Sequence, residues 1–167
     1  NNKNLANGDI TIKGNFGANL AVMALSTGTP DTSNCSNAGD IDVYATNNGG
    51  SVYICGITWT TGMTHTNFTN SGNFTFYGSI NDTVDDVNKY LFMSGCDYNA
   101  AKKLDKCTNS GTLKVDASAT FPKCAGVQIG GISRTVNGAV EYASCSNSGN
   151  IIFAATASCE VHLGGLA

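Results

Sequence analysis

Two short phrases of alternating apolar and polar residues recur along the chain. Two and four places after the glycines Gly8, Gly39, Gly72, Gly111 and Gly149 stand Ile10, Ile41, Phe74, Leu113 and Ile151, then Ile12, Val43, Phe76, Val115 and Phe153. The intervening places hold Asp9, Asp40, Asn73, Thr112 and Asn150, then Thr11, Asp42, Thr75, Lys114 and Ile152, so one side of each strand is apolar and the other mostly polar. A second phrase follows each glycine. Leu20, Val52, Leu91, Val127 and Val161 form one inward column and Val22, Ile54, Met93, Ile129 and Leu163 another. Ala21, Tyr53, Phe92, Gln128 and His162 then point out. The glycines are spaced by 31 to 39 residues, a solenoid period, and columns that match from repeat to repeat imply parallel strands stacked coil on coil.

Strands without intervening helices exclude helical solenoids and the leucine-rich horseshoe, and a propeller blade needs four strands per unit. The expectation is an all-β, single-domain chain over 1–167: a parallel β-helix (solenoid) of about five stacked repeats at approximately 5–34, 35–67, 68–106, 107–144 and 145–167, with no membrane helix. The general rule for parallel crossovers makes it right-handed. Whether each repeat is one wide coil or two narrow ones is open in the sequence, and one coil with the CxNxG turn as a corner is preferred. Asn37, Asn70, Asn109 and Asn147 supply a structural turn column, since Asn tolerates left-handed backbone and bonds to neighbouring peptide groups. Two places earlier, Cys35, Phe68, Cys107 and Cys145 make a small apolar stack of packing residues. Cys124 and Cys159, each just before a second-phrase strand in adjacent repeats, are the pair to test for a disulfide, although spacing does not fix connectivity. The chain opens inside a repeat and stops within a strand pair, as expected of part of a longer surface protein or of a subunit that self-associates end to end.

Composition narrows the partners. The chain has 167 residues, only 13% of them charged, with net charge −3 and pI near 5.1, so there is no basic footprint for nucleic acid or an anionic membrane. No apolar run approaches the length of a membrane-spanning helix. The amino terminus NNKNLANGDI lacks the pattern of a secretory signal, so a signal is expected to have been removed or to lie upstream. The seven cysteines show no zinc-site spacing, and no nucleotide, metalloprotease or calcium-repeat motif occurs; no metal or cofactor is expected.

The CxNxG turn, the alternating strand after it and the GGI or GGL phrase resemble the Gly-rich repeats of bacterial surface proteins, including GLUG repeats, and the right-handed β-helical adhesins of gut Bacteroidales. GGISR at Gly130 and GGLA at Gly164 match best; CGITW at Cys55 and SGCDY at Ser94 lack the first glycine. The resemblance covers nearly the whole chain from Leu5 to Leu166. It implies an exported, cell-surface protein with an adhesive or glycan-contacting role, and it supplies no catalytic residues.

Parallel β-helices also carry polysaccharide lyases and hydrolases, which need clustered carboxylates on one outer face. Asp9, Asp40, Asp42, Lys114 and Asp116 share such a face, but Asn73 and Thr75 dilute them, and Arg134 is the sole arginine. They read as a solvated face, and His65 and His162 as surface histidines. No catalytic residue is assigned. Two places are candidates for binding. The longest repeat carries nine of the 21 charged residues in SINDTVDDVNKY and CDYNAAKKLDK. Among these Asp82, Asp85, Asp86, Lys89, Asp97, Tyr98, Lys102 and Lys103 are the expected contacts, on loops or a short helix at AAKKL. The second is an outward aromatic strip of Tyr53, Trp59 and Phe92. The leading expectation is a non-enzymatic, extracellular, bacterial adhesin contacting glycans or surface proteins. A structural shaft stacking end to end is the alternative, and a carbohydrate-active enzyme the third.

Overall fold

The computed structural model describes residues 3–4, 8–14, 19–21, 31–47, 50–56, 58–59, 63–81, 88–98, 102–134 and 140–166. Among them every regular element is a strand, every strand pairing is parallel, and no helix is long and apolar enough to cross a membrane. Each repeat is one wide coil, and among the described residues a full coil passes through four sheets. The first sheet stacks Lys3–Asn4, Thr32–Asn37, Thr64–Asn70, Lys103–Asp105 with Thr108–Asn109, and Glu141–Ala143 with Ser146–Asn147. The second stacks Ile10–Gly14, Ile41–Asn47, Phe74–Phe76, Leu113–Val115 and Ile151–Phe153, and bends onward through Ser79–Asn81, Thr120–Lys123 and Thr156–Ala157. The third contains Asn19–Ala21, Val52–Cys55, Tyr90–Ser94, Gly126–Gly130 and Val161–Gly164; the fourth contains Thr58–Trp59, Asp97–Tyr98 and Ser133–Arg134. Among the described residues the expected five repeats are three coils that pass through all four sheets, with strands of two more stacked on either side.

Apolar alternation gives the core. Ile41, Phe74 and Leu113 pair in register, as do Val43, Phe76 and Val115, and all are buried against Val52, Ile54, Leu91, Met93, Val127 and Ile129 of the third sheet. The first strand of the third sheet departs from the expected register: Leu20 lies beside Ile54 rather than Val52. Val22 lies outside the described residues. Cys124 and Cys159 form a disulfide between adjacent coils, with Cα atoms 5.8 Å apart.

The two recurring phrases meet inside the coil. Three of the turn asparagines use both amide hydrogens: Asn37 Nδ2 donates to Gly39 O at 3.0 Å and to Asn70 Oδ1 at 2.7 Å. Asn70 does the same with Gly72 O and Asn109 Oδ1, and Asn109 with Gly111 O and Asn147 Oδ1. The result is a buried ladder of amides running along the stack. It is roofed by second-phrase glycines, Gly95 over Asn109 and Gly131 over Asn147. A Cβ on Gly95 would lie 2.4 Å from Gly131 O and 2.6 Å from Asn109 Cγ; one on Gly131 would lie 2.2 Å from Gly165 O and 2.5 Å from Asn147 Cγ. Close backbone approach, not a turn conformation, is what demands glycine here.

Just before the apolar stack of Cys35, Phe68, Cys107 and Cys145, the backbone turns through left-handed residues: Asn34, Asn67, Lys106 and Ser144 have φ of 53°, 56°, 54° and 53°. Asn is suited to this conformation; lysine is strained in it. Lys106→Gly is therefore expected to raise stability by about 0.5–1 kcal/mol in urea denaturation, because its N–H bond to Ala143 O is kept and the steric cost is relieved. The left-handed corner also reverses the inside–outside parity of the strand. His65, expected at the surface, is on that account fully buried, as are Phe68 and Asn70 beyond the corner.

Candidate functional site

The charged segment from Cys96 is not a loop. The offset between neighbouring coils grows from 33 residues at Asn47↔Ile80 to 39 at Val52↔Leu91, and it is still 39 at the Asn70–Asn109 bond. The extra length therefore falls between Ile80 and Tyr90, where Asp82, Asp85 and Asp86 lie outside the described residues. Residues 97–98 and 102–106 belong to the coil. Asp97–Tyr98 pairs with Thr58–Trp59 and Ser133–Arg134, and Lys103–Asp105 with Thr64–Thr66 and Glu141–Ala143. No helix forms over Lys103–Asp105, because its ladder bonds on both sides outweigh the local propensity of AAKKL.

The side chains follow that placement. Asp97 is fully buried and faces His65, Oδ1 to Nε2 at 3.6 Å, while the other ring nitrogen, Nδ1, bonds to Thr32 Oγ1 at 2.8 Å. Lys89 is buried and donates to Asn81 O at 3.2 Å. Lys103 pairs with Glu141 at 2.7 Å, and Lys102 is exposed. The segment contributes packing and rung contacts more than a charged surface.

The aromatic strip is likewise covered. Tyr53 and Phe92 stack at 4.9 Å, Tyr90 stacks on Phe92 at 4.9 Å, and Tyr98 of the fourth sheet closes over them, 4.7 Å from Tyr53. Arg134 lies over Phe92 with Cζ 4.1 Å from the ring centroid and donates through Nε to Gln128 Oε1. Phe92 is left 4% exposed, so the expected outward platform is a small second core. Burial pushes the Tyr98 hydroxyl up to about 12, against the opposing pull of Arg134. The side chain of Trp59 lies outside the described residues.

The accessible aromatic pair is elsewhere, on the outer face of the second sheet. Tyr44 and Tyr77 each stand five residues after an anchor glycine and stack at 4.6 Å with their planes 6° apart. Lys13, at the same offset one coil earlier, places Nζ 4.8 Å from the Tyr44 centroid, and Asp116 occupies the offset one coil later. Beside this column run Asp42, Thr75 and Lys114, and beside those Asp9, Asp40 and Asn73. The last three carry structure: Asp9 Oδ1 accepts from Asp40 N, Asp40 Oδ1 from Asn73 N, and Asn73 Oδ1 from Thr112 N, at 2.7–2.9 Å. Asp42 and Asp116 are the carboxylates left facing outward. Burial, with Asp40 next, pushes the Asp42 carboxyl up; Lys114 at 2.7 Å and then the Ser118 N–H and hydroxyl hold Asp116 down at about 2. The repeated offset from the glycine is the signal in the sequence that marks this column. Chemically the face offers two phenol hydroxyls, two carboxylates and two ammonium groups on a flat, rigid surface.

Compared with family models, with curated proteins and with solved structures, the chain finds no match.

Proposed function

We propose that the protein is a non-catalytic, extracellular module of a bacterial surface protein that contacts glycans through the outer face of the second sheet. The observation that carries this reading is the parallel-stacked Tyr44–Tyr77 pair set between Lys13, Asp42, Lys114 and Asp116. Because the rings share their faces with one another, they present edges and hydroxyls outward. Sugar hydroxyls find paired donors and acceptors there, in the phenol hydroxyls and the flanking carboxylate and ammonium groups. The scaffold holds these groups in place before binding, so little ordering entropy is lost, and weak contacts multiply along the stack. The resemblance to surface repeat proteins and adhesins agrees with this use.

Binding to a broad glycan and extracellular-matrix array is the test. The intact chain is expected to bind a defined glycan class, Tyr44→Ala/Tyr77→Ala to lose at least about tenfold in affinity, roughly 1.4 kcal/mol, and a variant shortened within 82–87 to keep its binding. Loss in the shortened variant alone would move recognition to that segment. No binding by the folded chain would favour the second reading, a shaft segment. That reading draws on Leu163 and Leu166, which are 50% and 43% exposed and offer apolar surface for end-to-end stacking. Concentration-dependent sedimentation of the wild type separates the two.

A further inference from the structure

Five cysteines lie outside the disulfide, and three of them converge. Cys107 and Cys145 stack on successive coils beyond Phe68, and Cys96 reaches them from the corner between the third and fourth sheets, all within one apolar cluster with Leu104 and Ile132. Cys96 and Cys107 are both fully buried, and Cys96 Sγ reaches Thr108 O, on the residue next to Cys107, at 3.9 Å; Cys107 Sγ donates to His65 O at 3.6 Å, and Cys145 Sγ to Leu104 O at 3.2 Å. Cys107 is thus neighboured by Cys96 within its own coil and by Cys145 on the next. The remaining two are set apart: Phe68 stands between Cys35 and Cys107, and Cys55 belongs to the cluster of Phe92 and Tyr98.

We propose that Cys96 and Cys107 are an oxidisable pair, joined by peroxide into a second disulfide across the interior of the solenoid. Hydrogen peroxide is small enough to enter through local opening of the coil, where a bulky disulfide oxidant is not. The Cys107 thiolate attacks one peroxide oxygen and releases hydroxide, leaving a sulfenic acid. The Cys96 sulfur then attacks the Cys107 sulfur, its own proton leaving with the expelled hydroxyl as water, and the hydroxide from the first step takes up the proton that Cys107 released on forming the thiolate. Two thiols and one peroxide become one disulfide and two waters. Cys107 is suited to the first step because the Cys96 S–H bond, ahead of the opposing burial, brings it down to about 7, whereas burial pushes Cys96 well up and keeps it a thiol until the sulfenic acid forms.

The test treats the folded wild-type chain and Cys145→Ser with millimolar hydrogen peroxide, quenches with catalase, alkylates under denaturing conditions and maps the peptides. The wild type is expected to lose two of its five thiols, with Cys96 and Cys107 in one linked peptide and Cys35 and Cys55 alkylated. The same link is expected in Cys145→Ser. The rate of thiol loss rises with pH through about 7, following the Cys107 thiolate. Full retention of the thiols after peroxide, or a Cys107–Cys145 link in the wild type, overturns the assignment.

Discussion

Gly95→Ala is expected to lower the stability of the folded chain by at least about 4 kcal/mol, or to prevent folding altogether, while Gly165→Ala leaves it unchanged within about 0.5 kcal/mol. Both glycines occupy the same place in the second phrase. At Gly95 the added carbon would lie 2.4 Å from Gly131 O and 2.6 Å from Asn109 Cγ, so a backbone carbonyl and a doubly bonded amide must both give way. Neither can swing aside as the end of a flexible side chain can. Relief would require separating two coils at their closest approach, with loss of the ladder bonds around Ser94 and Asp97. At Gly165 nothing lies within 4 Å. The comparison, by urea denaturation monitored with circular dichroism, isolates interior contact from any general intolerance of the motif to alanine.

Asn70→Ala carries the second large effect, a loss of about 3–5 kcal/mol and a fall in Tm of roughly 10 °C for a chain of this size. Asn70 donates to Gly72 O and Asn109 Oδ1 and accepts from Asn37 Nδ2, all in buried surroundings. Removing it strands the Gly72 carbonyl and the Asn109 carbonyl oxygen without these donors, and leaves a cavity the size of an amide between two coils. Asn70→Asp is expected to be at least as harmful, since the carboxylate keeps the acceptor, loses both donors and buries a charge. Thr108→Ala, which removes a 3.3 Å hydroxyl contact on the exposed side of the same sheet, serves as the comparison and costs less than about 0.5 kcal/mol.

The solenoid was legible because its period writes the same residue type at the same place in every coil. Ile41, Phe74 and Leu113 could be aligned by counting from a glycine, and Cys124 could be set beside Cys159 the same way. What stayed hidden was whatever depends on local departures from alternation. A left-handed residue such as Asn67 reverses strand parity, which turns His65 inward where simple counting leaves it outside. The fourth sheet is built of two-residue strands, too short for any periodicity, yet it is Tyr98 and Arg134 from this sheet that cover Tyr53 and Phe92. AAKKL has helical propensity, but the stretch over Lys103–Asp105 lies on a completed coil whose free backbone groups impose a strand. The tyrosine face was within reach: Tyr44 and Tyr77 share one offset from the glycine, and only attention to polar columns as well as apolar ones reveals it.

Every site on the molecule, from the amide ladder to the thiol cluster and the tyrosine pair, exists only if neighbouring coils stack in parallel and in register. Nuclear Overhauser contacts in the isotopically labelled chain test this most directly. In-register stacking predicts contacts that run Ile41–Phe74–Leu113 and Asn37–Asn70–Asn109 between coils, with the interstrand pattern of parallel sheet. Close Hα–Hα contacts between consecutive strands of one repeat, such as Phe74–Phe76 with Ser79–Asn81, would indicate antiparallel hairpins and contradict it.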